Sequence, residues 1–437
     1  MFHCQISKVD FGKILTTNFL KIIYTLIGFG YNLFIHLVNK VIGLAKFFGP
    51  KAKLFVEGQS QIPIILDEIK TWRTQNPSIQ IIWFHCASLG EFEQGRPVLD
   101  AFKSQNPEFG VLLTFFSPSG FEIRKNYPLA DFICYLPIDT KSNVKHFVEL
   151  VNPKIAVFVK YEFWPNIIKA LKSNGTKLIG ISVILRESQS FFKPWGGYFR
   201  EVLFSFDHLF VQNQTTANLL ESIAYKNYTV AGDTRFDRVL DTLSKIQPIA
   251  NITDFVADKQ VFVVGSAWAD DMQVLIPFAL GHPNIKFIIA PHELHETEIN
   301  TWSKELNAIK YSDFNAEYLP DAQVLIIDSI GLLSSLYQYA HFAFVGGSFG
   351  KGLHNILEAA VFGVPIFFGD KHYYKFEEAK DLISRKVAFP IKDINSLKEA
   401  FDSLDSKRLN EIITASKDYV KSQSGATETI IKFLAKI

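Results

Sequence analysis

The chain has 437 residues, with 45 basic and 44 acidic side chains. This length suffices for two domains, and the balanced charge argues against a nucleic-acid-binding protein. Hydrophobic residues make up 48% and charged residues 20%, which is typical of a folded protein and excludes a disordered one. The three cysteines, Cys4, Cys86 and Cys134, are far apart, so we predict neither a disulfide framework nor a zinc knuckle, and a reducing compartment fits.

The N-terminal segment, 1–50, has an unusually apolar stretch. No Asp, Glu, Lys or Arg occurs from Ile22 to Asn39, a run that reaches the lower range of a membrane-spanning helix, about 17–25 residues. Lysines follow at Lys40, Lys46 and Lys51 and would keep the C-terminal side in the cytoplasm. Three interpretations remain: a single span, an in-plane amphipathic anchor, or a buried helix of the first domain, with membrane attachment favoured.

Residues 51–240 alternate between apolar runs and amphipathic stretches of helical length. Continuous apolar strands separated by helices indicate a parallel sheet covered on both faces. We therefore predict a first Rossmann-like domain here. Its strand-like runs are "IQIIWFHC", "GVLLTFF", "DFICYLP", "KIAVFVK", "KLIGISVIL" and "HLFVQN".

The stretch "ASLGEFEQGRP", residues 87–97, follows the first of these strands. A turn of small residues between a strand and a helix often marks the rim of a site. A carboxylate there is either favoured by the helix dipole or a working acid or base. Glu91 is therefore the candidate catalytic carboxylate, with Ser88 and Gly90 beside it. Glu162, in "YEFWPN" at the end of another strand, is a further candidate on the same acceptor-binding side.

A linker is predicted at 241–256, where the core pattern is weak, and a second Rossmann-like domain at 257–437. Its strand-like runs are "QVFVVGSA", "IKFIIAPHE", "VLIIDS", "FAFVGGSF" and "VPIFFG", and the chain closes with the amphipathic "ETIIKFLAKI". Ligands of such sheets bind outside the carboxyl ends of the strands. The sequence thus predicts a cleft between two facing domains, with Glu91 on the rim of the first.

The second domain carries a glycine-rich strand–turn–helix pattern at 342–369. Gly346, Gly347 and Ser348 end a strand, and a helix is predicted to begin near His354 and Asn355. Adjacent glycines let a backbone approach an anion, and a helix N-terminus offers unpaired N–H donors. The spacing matches neither a P-loop nor the dinucleotide GxGxxG pattern. The pattern favours a nucleotide site.

Other polar residues near strand ends complete the predicted donor-binding side. Glu358, in the predicted helix, can accept hydrogen bonds from ribose hydroxyls. Ser266 and His292 end two strands and are candidates to meet the same ligand. "HELHE" at 292–296 lacks zinc-site spacing, and Asp270-Asp271 is best interpreted as helix-start capping. The sequence predicts no metal site and no cofactor.

Taken together, these motifs resemble the 3-deoxy-D-manno-octulosonic acid (Kdo) transferase family of lipopolysaccharide core biosynthesis, from the N-terminal segment to the last helix. The resemblance implies a GT-B fold and a metal-independent, inverting transfer of Kdo from CMP-Kdo to the lipid A precursor, at the cytoplasmic face of the inner membrane. It also implies that Glu91 is the catalytic base and that Gly346 to Ser348, His354, Asn355 and Glu358 bind the nucleotide. The motifs are "SLGEFEQGRPVL", "EFWPN", "GDTRFD", "APHE" and "FVGGSFGKGLHNILEAAVFGVPIFFG".

The chain departs from the family pattern at four positions. Leu353 stands where glycine usually precedes His-Asn, Ile356 and Ala359 replace prolines, and His292 occupies a place more often taken by arginine. Two other functions remain open: a different GT-B enzyme with a UDP-sugar donor, and a membrane-associated nucleotide-binding protein without catalysis.

Overall fold

The computed structural model describes residues 11–45, 47, 49–249, 251–313 and 322–437, with side chains from Tyr24 onward except Ala45. Cys4 and Lys46 lie outside the described residues. The chain divides into two compact units. The first unit is Met1–Thr234 with Gly425–Ile437, and the second is Arg235–Ser424.

Fourteen strands occur within the described residues, and every strand pair is parallel. Those of the first unit are β1 Ile81–Cys86, β2 Gly110–Phe115, β3 Phe132–Tyr135, β4 Ile155–Val159, β5 Lys177–Val183, β6 His208–Val211 and β7 Tyr228–Val230. Those of the second are β8 Val261–Ala267, β9 Lys286–Pro291, β10 Ile309–Lys310, β11 Val324–Ile326, β12 Phe342–Val345, β13 Ile366–Gly369 and β14 Ala388–Ile391.

Helices connect the strands and cover both sheets. The helices of the first unit are α1 Phe11–Ala45, α2 Pro50–Gln75, α3 Leu89–Gln105, α4 Pro118–Arg124, α5 Lys141–Val151, α6 Pro165–Ser173, α7 Gly197–Phe204 and α8 Gln214–Ser222, with α18 Ala426–Leu434. The remaining helices are α9 Thr234–Lys245, α10 Ile252–Val256, α11 Ala269–Leu280, α12 Glu296–Leu306, α13 Leu333–Leu336, α14 Leu357–Ala360, α15 Glu377–Ser384, α16 Ile394–Asp402 and α17 Ser406–Ser422.

Each unit contains one seven-stranded sheet among the residues described. The strand order is β3-β2-β1-β4-β5-β6-β7 in the first and β10-β11-β9-β8-β12-β13-β14 in the second. All six residues of β1 are buried, as expected for a parallel strand covered on both faces. Successive side chains point to opposite faces: Ile81 and Trp83 join one core cluster, whereas Ile82 and Phe84 join another.

Both sheets have a topological switch point, where the strand order reverses. In the first sheet, β1 lies between β2 and β4, and in the second, β8 lies between β9 and β12. Doubly wound sheets bind ligands in the crevice outside the carboxyl ends of the strands at this point. The two predicted domains thus have the doubly wound architecture expected from the sequence.

The boundaries of the units differ from the predicted ones. The first unit ends at Thr234, and 241–245, predicted as linker, lies within α9. The last helix, α18, predicted to close the second domain, packs on α3 of the first unit instead. Its Ile430, Ile431 and Leu434 enter the first unit's core cluster. Burial of this apolar face against α3 explains why the chain returns to the first unit.

Helix α1 has an apolar segment long enough to cross a membrane. The segment Tyr24–Leu44 has 21 residues, and only 6% of it is buried within the protein. Length and composition alone do not distinguish a membrane helix from other apolar helices. Its low burial nevertheless separates it from an ordinary core helix.

Candidate functional site

Glu91 and Glu162 come together at the switch point of the first unit. Glu91 lies in the first turn of α3, just after β1, and Glu162 follows β4, the neighbour of β1. Ser88 is the N-cap of α3, and its hydroxyl accepts a hydrogen bond from the Glu91 N–H at 3.4 Å. Gly90 is exposed, and a β-carbon placed there would meet no atom within 4 Å. A ligand can therefore approach the backbone beside Glu91.

The Glu91 side chain is only 5% exposed and carries a strongly perturbed carboxyl group. Its Oε2 accepts a hydrogen bond from the Ala87 N–H at 2.6 Å. Burial, together with the negative charge of Glu162, raises the pKa of Glu91 from 4.5 to about 7. The Ala87 contact is structural, since it satisfies a backbone donor next to the helix start. A pKa near neutrality also suits a general base, which must both accept and release a proton.

His85 was missed by the sequence reasoning because it stands inside the apolar run of β1. It is fully buried, with Nδ1 2.9 Å from the Thr114 hydroxyl and Nε2 3.7 Å from Glu162 Oε2. The Trp83 indole donates to the same hydroxyl. Among the described residues, the buried His85 Nε2 has no hydrogen-bond partner, and it faces Glu162.

Glu162 is held from its other side by Trp164, whose indole N–H donates to Glu162 Oε2 at 2.8 Å. The exposed Tyr161 lies close enough to both carboxylates that they help to raise its pKa, after the larger effect of burial. The first unit therefore presents two coupled carboxylates at its switch point. Such pairs are common where an enzyme moves protons.

In the second unit, three aromatic rings stack at the switch point. His292 follows β9 and stacks against both Trp268, at a centroid distance of 4.6 Å, and His354, at 4.1 Å, whose own rings are 6.2 Å apart. Trp268 follows β8, and its ring has the Lys351 ammonium 5.6 Å from the centroid. Trp268 was another residue that the sequence reasoning missed. The signal was available, since an aromatic residue directly after a central strand belongs to the expected ligand crevice.

Both histidines of this stack are neutral at physiological pH. The Trp268 indole, which can only donate, bonds to His354 Nε2 at 2.8 Å, so the His354 proton resides on Nδ1. Burial, reinforced by His292, lowers the pKa of His354 to about 4, and burial also lowers the pKa of His292. The exposed Lys351 is thus the cationic group at the stack.

Hydrogen bonds to neighbouring elements of the second unit hold the glycine-rich loop in place. The Gly346 N–H donates to Gly265 O at 2.9 Å, and the Gly347 N–H donates to Asp271 Oδ2 at 2.9 Å. A β-carbon at Gly346 would lie 2.2 Å from the backbone oxygen of Ser266, so only glycine fits there. The amides of both glycines are therefore already bonded, and Gly346 serves the close approach of two backbones.

Ser266, Gly347 and Ser348 have particular backbone or side-chain conformations. Ser266 has a φ of 53°, and Gly347 a φ of 94°, in the left-handed region that is strained for serine. Ser348 is fully buried, and its hydroxyl bonds to the Lys371 carbonyl. The helix predicted to begin near His354 begins at Leu357 and has four residues. It is too short to provide a helix-dipole anion site.

Asn355 and Glu358 form a small polar network. The Asn355 amide donates to Glu358 Oε1 at 2.9 Å, and the Ser334 hydroxyl donates to Oε2 at 2.8 Å. Both glutamate and asparagine are only partly exposed. The carboxylate is thereby fixed in orientation, as a group that binds sugar hydroxyls requires.

Among the described residues, no group of three or more His, Cys, Asp or Glu side chains is arranged to hold a metal ion. In the "HELHE" segment, His295 pairs with Glu293 at 2.8 Å, and both side chains are largely exposed.

Solved structures with the same two-domain architecture show the fold. UDP-GlcNAc 2-epimerase from Neisseria meningitidis, bound to UDP-GlcNAc, superposes with a TM-score of 0.58 at 15% identity, covering 82% of this chain and 100% of the other. MurG from Acinetobacter baumannii gives 0.51 at 13% identity, covering 82% and 100%. The chain has a GT-B fold.

Two sequence relatives that align with most of this chain share one name. A 3-deoxy-D-manno-octulosonic acid transferase from Rickettsia bellii is 25% identical over 82% of this chain and 88% of its own length. The Aquifex aeolicus protein of the same name is 26% identical over 82% and 92%. A bifunctional glycosyltransferase/methyltransferase from Fusobacterium nucleatum is 24% identical over 75% of this chain, which spans 53% of that longer protein.

A sequence profile of one family matches most of the first unit, which contains Glu91 and Glu162. The family is described as 3-deoxy-D-manno-octulosonic-acid transferase (kdotransferase), and its profile matches residues 64–238. This region includes Glu91, Glu162 and the "GDTRFD" motif. Together with the relatives that extend over most of the chain, the match shows that this protein is similar to the Kdo transferase family.

Proposed function

We propose that this protein transfers Kdo from CMP-Kdo to the lipid A precursor, with inversion at the anomeric carbon. The observation that carries the proposal is the buried Glu91, with a pKa raised to about 7, at the switch point of the unit that matches the family profile. A sugar hydroxyl has a pKa far above neutrality, so its attack benefits from a positioned base, typically about 10²–10⁴-fold.

The proposed reaction moves one proton and one electron pair. The acceptor hydroxyl loses its proton to Glu91 as its oxygen forms a bond to the anomeric carbon of Kdo. The bond from that carbon to the phosphate oxygen breaks, and CMP departs with the electron pair. Glu162 keeps the pKa of Glu91 high by its charge. Ser88, Gly90 and Glu162 form the acceptor-binding side.

The second unit is proposed to bind the donor. Lys351, beside the Trp268 ring, is a suitable cation for the single phosphate of CMP, and His354 carries a neutral Nδ1–H donor. A fixed cation and dipoles stabilise the departing phosphate without a divalent metal ion. The transfer is therefore proposed to be metal-independent, which persistence of activity in EDTA tests. The proposed donor-binding residues are Ser266, His292, His354, Asn355 and Glu358, while Gly346, Gly347 and Ser348, whose polar groups are already bonded, shape the loop beside them.

The enzyme is proposed to work at the cytoplasmic face of the inner membrane. The support is the apolar segment of α1, Tyr24–Leu44, and the exposed lysines that follow it at Lys51 and Lys53. Positive residues on the C-terminal side of an apolar segment favour a cytoplasmic location of that side.

Product mass spectrometry with CMP-Kdo and a tetra-acylated lipid A precursor tests the activity directly. The expected product is heavier than the acceptor by one or more Kdo residues. Absence of product and of CMP release, with folded protein and a relative of known activity as positive control, would refute the proposal in favour of a non-catalytic nucleotide-binding protein.

A UDP-sugar donor is the rival within the same fold. A ligand that binds only the folded state raises the melting temperature by mass action. We expect CMP to raise it more than UDP at equal concentration. The reverse order would favour the UDP-sugar enzyme.

A further inference from the structure

Helix α1 has three distinct sides. The side formed by Tyr24, Gly28, Tyr31, Ile35 and Ile42 faces the first unit. These positions follow the three- and four-residue spacing of one helix face. A second side is apolar and exposed to solvent. It comprises Leu26, Phe29, Leu33, Phe34, Leu37, Val41 and Leu44, each at least 55% exposed.

The contact between α1 and the rest of the first unit includes specific polar interactions. The Tyr31 hydroxyl donates to Asp139 Oδ2 at 2.7 Å, and Asn166 donates to Asn32 Oδ1 at 2.9 Å. Asp139 is only 2% exposed and also accepts the N–H groups of Asn166 and Ile167, at 3.0 and 2.8 Å. A buried carboxylate with these partners is costly to separate from them. The network therefore fixes α1 on the unit.

The docked side runs along most of the apolar segment. From Tyr24 to Ile42 the axial distance is about 27 Å at 1.5 Å per residue, close to the thickness of a bilayer's hydrocarbon core, about 30 Å. If α1 crossed the membrane, the polar groups of the first unit that contact it would have to enter the bilayer with it. Burial of such groups in hydrocarbon is strongly unfavourable.

The third side of α1 is polar. Thr25, His36 and Asn39 are exposed and, at 100° per residue, lie between the docked and the apolar sides. A helix that spans a bilayer would expose this side to lipid tails, whereas a helix at the surface places it at the headgroups. Basic side chains near α1 suit an anionic bilayer: Lys40 and Lys51 are exposed, and Lys141 and Lys169 line a cavity beside α1 together with one acidic residue, Glu201. Trp195, 54% exposed, lies two residues from Gly197, which adjoins Tyr24.

We infer that α1 does not span the membrane but lies in the plane of an anionic lipid surface. Its docked side remains on the first unit, its apolar side enters the acyl chains, and its polar side faces the headgroups. The inference rests on the membrane association proposed above and specifies its geometry. The enzyme is then monotopic, with both ends of α1 on the same side of the bilayer.

Depth measurement on the full chain tests this geometry. Leu26, Leu33 and Leu44 are replaced one at a time by cysteine in a Cys4→Ser background, in which the remaining Cys86 and Cys134 are buried. The introduced cysteines are labelled with bimane in vesicles of phosphatidylglycerol and phosphatidylcholine. Lipids brominated near the headgroup or deep in the chains report depth by quenching. We expect one shallow depth for all three positions. A central label far deeper than the outer two would show a spanning helix and overturn the inference.

Vesicle flotation provides a second measurement. Leu33→Lys should weaken binding at least about tenfold, since a lysine is costly among acyl chains. Leu280→Lys is the matched control, because Leu280 is 56% exposed in the second unit and Leu33 is 62% exposed; it should bind like the parent. Equal binding of both variants, or no binding of the parent, would overturn the inference. Kdo transfer to acceptor dispersed in detergent, measured in parallel, reports separately on the proposed activity.

Discussion

Replacement of Glu91 by glutamine separates the catalytic role of this residue from its structural one. Glutamine keeps the size of the side chain, and its carbonyl can still accept the Ala87 N–H. It cannot take a proton from the acceptor hydroxyl. If Glu91 is the general base, the rate of Kdo transfer should fall by about 10²–10⁴-fold, while CMP binding stays at the parental level.

The stability of the same variant has a predictable dependence on pH. A rise of the Glu91 pKa from 4.5 to about 7 on folding corresponds to about 3 kcal/mol favouring the protonated form. Because the folded pKa is the higher one, the parent loses this free energy as pH rises from 4.5 to about 7. Glu91→Gln removes the buried charge, although a neutral acceptor bonds the Ala87 N–H more weakly. At pH 8 its melting temperature should equal or exceed the parental value by a few degrees.

The assay combines kcat/KM for Kdo transfer with thermal melting, both between pH 4.5 and 8.5. The parental kcat/KM should fall below pH 7 as Glu91 is protonated, and the residual activity of the variant should lack that step. Glu93→Gln is the matched control on the same helix, where Glu93 pairs with Arg124. A near-parental rate of Kdo transfer by Glu91→Gln would refute the role of Glu91 as general base. If the melting temperature of the variant fell further below that of the parent as pH rises, burial would not be the cause of the raised Glu91 pKa.

Four further outcomes are expected. Glu162→Gln should lower the pH midpoint of kcat/KM, because the charge of Glu162 helps to raise the pKa of Glu91. Glu358→Gln should weaken CMP binding in calorimetry by about one to two orders of magnitude, as expected for loss of charge-assisted hydrogen bonds. Asp271→Ala should lower the melting temperature, since the buried Gly347 N–H and the partly buried Trp268 N–H lose their acceptor. A chain beginning at Lys51 should be more soluble and bind CMP but act poorly on membrane-embedded acceptor.

Each of these outcomes has a control or a contradicting result. For Glu358, the comparison is Glu377→Gln, an exposed helix glutamate paired with Lys380, whose CMP affinity should be parental. An unshifted pH midpoint in the Glu162 variant would show that the two carboxylates are not coupled. An unchanged melting temperature for Asp271→Ala would mean that water replaces the lost acceptor. Failure of the shortened chain to fold would make α1 a core element.

The central strands and the edge strand β3 could be predicted from the sequence, whereas three other edge strands could not. Strands such as β1 and β4 are buried on both faces and therefore appear as continuous apolar runs. The strands β7, β10 and β14 are short edge strands with partly exposed residues, and their composition gives little signal. Sequence reasoning is weakest where a strand needs its neighbours to form.

The same distinction applies to the site. Glu91 and Glu162 were predicted because they follow strands directly, and local position was enough to select them. His85 was indistinguishable from a core residue inside its apolar run, and the bond between Trp268 and His354 joins residues 86 positions apart. The amides of Gly346 and Gly347 are occupied by the Gly265 carbonyl of β8 and by Asp271 of α11, respectively. Such contacts follow from the topology of the sheet, which pattern and spacing do not encode.

The return of α18 to the first unit has a consequence for biosynthesis. The core that supports α3, and with it Glu91, includes Ile430, Ile431 and Leu434, which leave the ribosome only after the whole second unit. At about 5–20 residues per second, roughly 10–40 s separate the synthesis of Thr234 from that of the final helix. Throughout that interval the nascent first unit exposes the apolar surface that α18 later covers. Maturation of the carboxylate-bearing half therefore waits for the entire second half to be made, and chains stalled before Gly425 are candidates for chaperone capture.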